Sequence, residues 1–327
     1  MDLDETTRRS AAESVHVAVL GAGLMGAQIG CEYALGGCAV SFVVRERSRA
    51  ERRVEQALAL VLAHELADET AIARARTLIG YDGSGGAALA SGARSPELIV
   101  ESLPEDLSLK ADTLGELAAL YPQATVASNT SSISISALGE AAGVGERIVG
   151  THYWNPPLLM PLVETIAGEH TPRKLLVDVL ELLRAIGKRP VVLEREATGL
   201  LWNRLQLAVL RECEWLVEHG VATAATIDAV MRDGLARRWR LTGPFETVGL
   251  GGAQTFDAIA ANLYPELSSA TAGHGFGAHV PHDPSVLAKL RERRDAQLAA
   301  ELRTEREAGA RRSTAEPRPA PEVKARP

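Results

Sequence analysis

Cysteine is scarce in this sequence, and long apolar runs are absent. The chain has 3 cysteines, which form no C-x-x-C pair and have no histidine at metal-ligand spacing: Cys31, Cys38 and Cys213. We therefore expect buried thiols in a reducing compartment and no metal site. No run reaches the length of a membrane span, and the polar N-terminus lacks the apolar core of a signal peptide. The sequence thus predicts a cytoplasmic protein without a membrane partner.

The sequence also has fewer basic than acidic residues. The 35 lysines and arginines are outnumbered by 42 aspartates and glutamates, which gives a formal net charge of −7. Nucleic acids and anionic membranes present phosphate groups, so this balance gives no electrostatic support for binding either one. The 327 residues are enough for two domains with their own cores, and 46% of them are hydrophobic, an ordinary value for a globular protein.

Short apolar runs alternate with amphipathic segments in the first part of the chain. This alternation predicts a parallel sheet that is covered by helices on both faces. A long charged segment over residues 46–76 predicts a projecting pair of helices after the second strand. The predicted strands are residues 15–20, 39–44, 97–100, 124–128, 147–153 and 189–194.

A glycine-rich segment follows the first predicted strand. VAVLGAGLMGAQIG contains G-x-G-x-x-G through Gly21, Gly23 and Gly26. Between a strand and a helix, the first glycine permits a tight turn and the second lets the backbone approach a pyrophosphate. The third lets the helix pack on the strand, and the N–H groups of Leu24 and Met25 begin a helix whose positive end attracts phosphate. The segment predicts a dinucleotide site.

The end of the second strand bears on which dinucleotide binds. An acidic residue at this tip accepts a hydrogen bond from the ribose 2′-OH of NAD. Here the tip is Val44, and the adjacent Arg45 is able to hold the 2′-phosphate of NADP. Glu46 recovers the acidic role if the strand runs two residues longer. We therefore expect NAD as the cofactor, with NADP left open and Arg45 among the cofactor contacts.

The second part of the chain has a different character. After residue 197 no convincing strand appears, and helical periodicity dominates. We expect an α/β fold: a Rossmann-type doubly wound sheet over residues 15–197 and an all-helical C-terminal domain over residues 198–310. The Pro-rich segment 311–327 is predicted to be disordered. Because the helical domain has such apolar faces, we also expect it to form a homodimer and to contribute to the substrate site.

A histidine and a glutamate stand in neighbouring apolar runs of GTHYWNPPLLMPLVETI, at His152 and Glu164. Oxidation of a secondary alcohol needs a base that removes the hydroxyl proton, and histidine suits this role near neutral pH. A neighbouring carboxylate fixes the imidazole tautomer and stabilises the imidazolium that forms. The burial of Glu164 is explained if it pairs with His152. The two residues are therefore predicted to form a catalytic dyad.

Five segments in this order resemble the 3-hydroxyacyl-CoA dehydrogenase superfamily: GAGLMGAQIG, VESLPEDLSLK, SNTSSISI, GTHYWNPPLLMPLVE and GLLWNRL. The likeness covers nearly the whole chain apart from its two ends. The later segment MRDGLARRWRLTGPFET resembles the branch of lambda-crystallin and L-gulonate dehydrogenase. The resemblance implies that His152 and Glu164 are the catalytic pair of an NAD-dependent dehydrogenase.

The same resemblance implies roles for other residues. Ser131 and Asn203 would contact the reacting group of the substrate and assist catalysis, and Asn155 would contact the nicotinamide. Glu105 and Lys110 would contact the cofactor. Taken without the resemblance, Ser131 and Asn155 are turn-capping residues, Asn203 is a buried helix amide, and Glu105 and Lys110 are charges at a helix start.

The helical segment after the second strand departs from the family pattern, and this difference bears on the substrate. In members that act on coenzyme A thioesters, the helical segment after the second strand carries lysines that hold CoA. Here VEQALALVLAHELADE is apolar and acidic, so it would repel the CoA phosphates. Arg238 matches a branch position that binds a free carboxylate, although a solvated cluster with Arg237 and Arg240 is the alternative.

We expect an NAD(P)-dependent dehydrogenase that reversibly oxidises the 3-hydroxyl group of a small 3-hydroxy acid, or of a carrier-bound 3-hydroxyacyl group, to the 3-keto form. Two alternatives remain: an enzyme for a short-chain CoA thioester, and a catalytically inactive, crystallin-like structural relative. A 3-hydroxyisobutyrate or 6-phosphogluconate type of dehydrogenase would need a catalytic lysine in a glycine-rich helical segment. GLGGAQTF has no lysine at that spacing.

Overall fold

The computed structural model describes residues 14–83, 95–272 and 276–313. The predicted disordered segment 311–327 lies outside the described residues from 314 onward, and its first residues end a helix instead. By residue contacts the chain divides into two units. The first holds the residues up to Leu201 together with those from Leu290 onward, and the second is Trp202–Lys289.

An eight-stranded, mostly parallel sheet forms the centre of the first unit in the described part of the chain. Its order is β3-β2-β1-β4-β5-β6-β7-β8, and all neighbours are parallel except β6 and β7. This arrangement confirms the predicted doubly wound fold. The strands are β1 His16–Leu20, β2 Ala39–Val43, β3 Ile79–Asp82, β4 Leu98–Glu101, β5 Thr125–Ser128, β6 Ile148–Tyr153, β7 Leu162–Ala167 and β8 Arg189–Val192.

Both faces of this sheet are covered, as the continuous apolar strands predict. Successive side chains of a strand point to opposite faces. Along β1, Val17 and Val19 belong to one buried cluster, whereas Ala18 and Leu20 belong to another. The helices of the first unit are α1 Leu24–Leu35, α2 Arg47–Ala63, α3 Glu69–Leu78, α4 Leu107–Leu120, α5 Ile135–Ala141 and α6 Arg173–Ala185.

The helices α2 and α3 occupy the segment that was expected to project from the domain. The helical pair is present, but the expected projection is wrong. Val54, Leu58 and Val61 of α2 and Ile72 of α3 are buried in the same cluster as Tyr33 of α1. The pair therefore packs on α1, where its apolar face is buried.

The second unit is helical in all of its described regular structure. Its elements are α7 Leu200–Glu218, α8 Ala224–Val230, a π-helical turn Met231–Leu235, α9 Ala236–Trp239, α10 Pro244–Gly251, α11 Ala253–Leu263 and short 3₁₀ turns at Tyr264–Glu266 and Phe276–His279. The helix α12, Pro284–Ser313, leaves this unit at Leu290. Beyond that residue Arg303 donates to the His64 carbonyl oxygen and Arg306 to that of Leu66. The sequence prediction instead places the residues up to 310 in the helical domain.

None of the helices in the described ranges is long and apolar enough to cross a membrane. Cys31 and Cys38 are buried, as the sequence predicts. Cys213 is only partly buried, so the prediction of a buried thiol is wrong at this position. In its helix, α7, the one described buried residue is Glu214. Leu200 packs against the second buried cluster of the first unit, whereas Leu201, Leu205 and Leu207 are exposed.

Candidate active site

The candidate site lies at the carboxyl edge of the sheet. The strands β1, β4, β5 and β6 are parallel neighbours, so their carboxyl ends meet at one edge, where α/β folds bind ligands. The glycine turn follows β1, Glu105 follows β4, Ser131 follows β5, and His152 stands near the end of β6. Because β7 runs antiparallel to β6, Glu164 near its start reaches the same edge.

In the glycine turn after β1, the fold requires glycine at positions 21 and 26 but not at position 23. Gly21 has φ +89°, and a Cβ there would lie 2.8 Å from the carbonyl oxygen of Ser102. A Cβ on Gly26 would overlap the carbonyl oxygen of Gly21. A Cβ on Gly23 would find its nearest heavy atom, Nη1 of Arg53, at 3.9 Å. The space beside Gly23 is therefore left open, as the close approach of a pyrophosphate requires.

The helix α1 begins at this turn with its positive end uncovered. Gly23 is its N-cap, no side chain of the described residues caps it, and its first turn holds no acidic residue. Leu24 and Met25 supply N–H groups of this first turn, which lack an intrahelical acceptor. The turn therefore fits an anionic group such as a dinucleotide pyrophosphate.

The end of β2 settles one point that the sequence left open. β2 ends at Val43, and the N–H of Val44 donates to the carbonyl oxygen of Asp82 at 3.0 Å. The strand does not run on to Glu46, which is instead the N-cap residue of α2. Arg45 is exposed beside this tip. Glu46 is thus not the acidic strand tip.

A cluster of charged side chains lies at the end of β4 and in the segment that follows it. Glu101 is 0% exposed, and its Oε1 accepts from Nζ of Lys110 at 2.6 Å. The same carboxylate accepts from the Leu103 N–H at 2.6 Å and from the Ser128 hydroxyl at 2.5 Å. Nζ of Lys110 is also 3.2 Å from Oε2 of Glu105. Lys110 therefore holds Glu101 and Glu105 together while it is itself 1% exposed.

Glu105 fixes the loop that carries Ser131. Its Oε1 accepts from the Thr130 hydroxyl at 2.6 Å, from the Ser131 N–H at 2.9 Å and from the Ser132 N–H at 2.8 Å. Burial by itself would raise the pKa of Glu105, but the hydrogen bonds from Thr130 and Ser132 and the charge of Lys110 lower that pKa to about 2. Glu105 is therefore a carboxylate that orders the loop after β5.

His152 and Glu164 stand directly opposite each other in the antiparallel pair β6–β7. Nδ1 of His152 lies 2.7 Å from Oε2 of Glu164, and the two side chains are 9% and 1% exposed. An ionised carboxylate only accepts hydrogen bonds, so the proton of this bond belongs to Nδ1 and Nε2 is left as the proton acceptor. The register matters, since a slip of one residue would turn the pair to opposite faces.

Glu164 is held by two further donors. Its Oε1 accepts from the Leu201 N–H at 2.8 Å, and its Oε2 accepts from Nε1 of Trp154 at 3.3 Å. The Leu201 N–H is presented by a turn in which Gly199 has φ +79° and Leu200 has φ +53°. The buried carboxylate is therefore oriented as well as paired.

The loop between β6 and β7 is fixed by residues that the sequence interpretation missed. The ammonium of Lys188 is 2.7 Å from Oε2 of Glu32 and donates to the Pro157 carbonyl oxygen at 2.7 Å. Asn129 accepts from the Tyr153 N–H at 2.8 Å. Asn155 lies in this loop, before Pro156. In the sequence, Lys188 is a single lysine just before a predicted strand. Nothing in the sequence indicates that it pairs with Glu32.

A cavity of about 160 Å³ lies on the same face of the sheet as the dyad. Gly150 and Ile166 line it, and they pair with each other one step along from His152 and Glu164 in the alternating pattern of β6 and β7. The rest of its lining is Thr130–Ile135, which includes Ser131, and Glu196–Leu200. Glu196 caps α5 by accepting from the N–H groups of Ile135 at 2.5 Å and Ser136 at 3.1 Å.

The remaining predicted residues lie in the second unit. Asn203 is on α7, and Arg238 is exposed on α9 next to the exposed Arg237. Their contacts with substrate stay predictions. Among the described residues, no group of three or more histidines, cysteines, aspartates or glutamates is arranged to hold a metal ion.

Comparison with known proteins adds curated relatives with stated activities. The chain is 33% identical over 261 residues to 5-formyl-3-hydroxy-2-methylpyridine 4-carboxylate 5-dehydrogenase of Mesorhizobium japonicum, which covers 78% of this chain and 81% of that protein. It is 39% identical over 167 residues to L-carnitine dehydrogenase of Nocardiopsis dassonvillei, and this match covers 51% of each chain.

Solved structures agree with this likeness. The crystal structure of 5-formyl-3-hydroxy-2-methylpyridine 4-carboxylic acid 5-dehydrogenase, described as an NAD⁺-dependent dismutase, has a TM-score of 0.78 at 27% identity and covers 88% of this chain and 97% of that one. The (S)-3-hydroxybutyryl-CoA dehydrogenase of Ralstonia eutropha has a TM-score of 0.62 at 28% identity and covers 77% and 88%. These matches do not single out the lambda-crystallin branch, which remains a prediction.

Two family models match the chain in succession. Residues 16–197 match the NAD binding domain of 3-hydroxyacyl-CoA dehydrogenase, and residues 199–279 match its C-terminal domain. The first match covers the glycine turn, the cluster after β4 and both members of the His152–Glu164 pair. The chain therefore belongs to the 3-hydroxyacyl-CoA dehydrogenase family and is an NAD-dependent oxidoreductase that acts on CH–OH groups.

Proposed function

We propose that this protein reversibly oxidises the 3-hydroxyl group of a small 3-hydroxy acid, or of a carrier-bound 3-hydroxyacyl group, with His152 as the base and Glu164 as its partner. The observation that carries the proposal is the 2.7 Å bond between Nδ1 of the histidine and a carboxylate that is 1% exposed. A buried carboxylate is costly unless it is paired, and this pairing leaves Nε2 at the edge of the sheet as an acceptor.

The chemistry assigned to each side chain is as follows. Nε2 of His152 takes the proton of the substrate hydroxyl while the hydrogen on the same carbon leaves as hydride, and the Glu164 carboxylate stabilises the imidazolium that results. NAD, when bound, supplies the hydride acceptor. Ser131 donates to the substrate oxygen, and Asn203 assists at the reacting group. In the reverse direction the imidazolium returns its proton to the carbonyl oxygen.

The residues that would hold NAD are those around the glycine turn and the loops after β4 and β6. Gly23, Leu24 and Met25 offer N–H groups and open space to the pyrophosphate. Glu105 and Asn155 lie in the loops that follow β4 and β6 and are assigned to the nicotinamide half. Lys110 acts there through its ion pair with Glu105, and Arg45 lies beside the tip of β2.

A small free acid is the substrate class that we favour. The names of the two curated relatives specify a pyridine carboxylate and carnitine, and both compounds carry a free carboxylate. The α2–α3 pair is packed on α1 and has no lysine over residues 54–69, and both features argue against CoA binding there. Arg238 is assigned to the substrate carboxylate, because guanidinium and carboxylate match in geometry.

The test is a substrate panel with NAD as the oxidant. L-carnitine, 3-hydroxybutyrate, L-gulonate and 3-hydroxybutyryl-CoA are each incubated with the enzyme, and NADH formation is followed. We expect turnover with a free acid and a higher kcat/KM than with the CoA thioester. A preference for the thioester would make the CoA alternative correct, and tight NAD binding without turnover of any compound would favour the structural relative.

We also propose that the protein is a homodimer. Within the described part of Trp202–Lys289, no apolar side chain is buried, while Phe245 is 91%, Leu241 83% and Leu250 78% exposed. A helical unit with so much uncovered apolar surface is stabilised by a partner surface, and a second copy is the simplest one. Sedimentation at micromolar concentration is expected to give a dimer of the 34.8 kDa chain. A purely monomeric species would overturn this proposal.

A further inference from the structure

Arg53 differs from the other charged residues of α2. Arg47 pairs with Glu51 at 2.7 Å, and Glu55 is held by Arg76 at 2.7 Å. Arg53 is partly buried, and no ion pair or hydrogen bond of its side chain exists among the described residues. The acidic side chains of its own helix are thus engaged with other arginines.

The guanidinium of Arg53 lies beside the glycine turn. Its Nη1 is 3.9 Å from the position that a Cβ on Gly23 would take, and it is the nearest heavy atom to that position. Val54, the next residue along α2, is buried against α1 and fixes this part of the helix. The packing of α2 therefore fixes the backbone from which the Arg53 side chain extends toward Gly23.

Two positive features meet at Gly23. The N-terminus of α1 carries a partial positive charge with no acidic side chain in its first turn, and the guanidinium stands next to it. Two positive groups that face each other repel, and partial burial of an unpaired charge costs free energy, unless an anion lies between them. An anion on the open side of Gly23 would be attracted by both groups.

We propose that Arg53 binds the pyrophosphate of NAD from the side opposite the glycine turn. The proposal rests on the family's assignment of NAD to this domain. Arg53 lies outside the G-x-G-x-x-G motif, so the motif does not identify it. A guanidinium forms paired, charge-assisted hydrogen bonds with phosphate oxygens, which suits a group that crosses Gly23.

The test is calorimetric titration of the purified full chain with NAD and with ADP-ribose, which carries the same pyrophosphate. Arg53→Met is expected to raise the Kd of both ligands by about 10- to 100-fold, the effect of one charge-assisted hydrogen bond or two. Arg53→Lys keeps the charge and is expected to give an intermediate Kd. Arg76→Met removes one positive charge from the same helical pair and is the matched control, with an unchanged Kd. Thermal unfolding verifies that each variant is folded, and Arg53→Gln replaces the Met variant if that one is not.

The salt dependence gives a second readout. An ionic contact is screened by salt, so the Kd of the wild type is expected to rise more steeply with NaCl than that of Arg53→Met. Equal Kd values for wild type and Arg53→Met would overturn the proposal. A Lys variant as weak as the Met variant, with no difference in salt dependence, would overturn it in favour of stacking on adenine. A larger loss for NADP than for NAD would assign Arg53 to the 2′-phosphate and also overturn it. If the wild type itself bound neither dinucleotide, the cofactor assignment would fail first.

Discussion

Glu164→Gln tests how much the buried carboxylate contributes to catalysis. The change keeps the side-chain volume and an oxygen that is able to accept from the Leu201 N–H, which now lies 2.8 Å from Oε1. It removes the negative charge 2.7 Å from Nδ1 of His152 and puts the amide NH₂, a donor, in the place of the accepting Oε2. The imidazole is neutral before proton transfer and positive after it, so the lost attraction acts mainly on the transition state.

The magnitude follows from Coulomb's law. Two unit charges with centres about 4 Å apart attract by about 4 kcal/mol at an effective dielectric constant of about 20. At 1.36 kcal/mol per factor of ten, the lost charge by itself accounts for at most about a thousandfold in rate. Because the charge on His152 is only partly developed in the transition state, we expect kcat to fall by about 100- to 1,000-fold.

The assay compares steady-state kcat and the Kd of NAD for wild type, Glu164→Gln and Trp154→Phe. The Phe variant removes the 3.3 Å donor at Nε1 together with part of the ring and leaves the charge in place, so its loss of kcat is expected to be far smaller. NAD affinity is expected to stay unchanged in both variants. An unchanged kcat for Glu164→Gln, or an equal loss in Trp154→Phe, would refute the electrostatic role of the carboxylate.

Four further substitutions test the surroundings of the site. Glu105→Gln removes a carboxylate whose folded pKa is about 2 instead of 4.5. The wild type should therefore be more stable than the variant by the full amount above pH 4.5, and this difference should decline as the pH falls toward 2. Matching thermal unfolding curves for both proteins at about pH 7 would contradict this prediction. Gly26→Ala should destabilise the fold by about 1–3 kcal/mol, whereas Gly23→Ala should cost less than about 1 kcal/mol in unfolding and mainly weaken NAD binding. Lys188→Met leaves Glu32 buried and unpaired and should cost about 3–5 kcal/mol in chemical denaturation, an outcome that a near-neutral effect would rule out.

The strands that form the cofactor edge were predictable from the sequence because they are apolar and continuous. The observed β1, β4, β5 and β6 lie within the predicted strand segments or one residue beyond them. β3 was not predicted, since it is a short edge strand that contains Gly80 and Asp82, residue types that are depleted in strands. Alternating burial is weak in such a strand, so local pattern does not identify it.

β7 was missed for a reason that concerns the site itself. Glu164 is its third residue, and an acidic residue argues against a buried strand unless its partner is known. The partner, His152, was predicted from the chemistry rather than from strand pairing. The structure explains both observations together, because the antiparallel register places the two residues opposite each other.

The supporting contacts were beyond local sequence reasoning. Lys188 meets Glu32 on α1, and Glu196 meets the start of α5, so each contact joins segments that are far apart in the chain. Charged residues of this kind resemble ordinary surface charges in the sequence. Only the packing of α1, β6 and β7 shows that Lys188 is buried.

The most direct test of the account is NADH formation by His152→Ala in a single turnover with saturating NAD and the best substrate of the panel. The account predicts a fall in rate of about 100- to 10,000-fold with an unchanged Kd for NAD, because the imidazole moves the proton and does not hold the cofactor. A rate close to that of the wild type would show that another group is the base. Loss of NAD binding together with activity would show that His152 only maintains the structure.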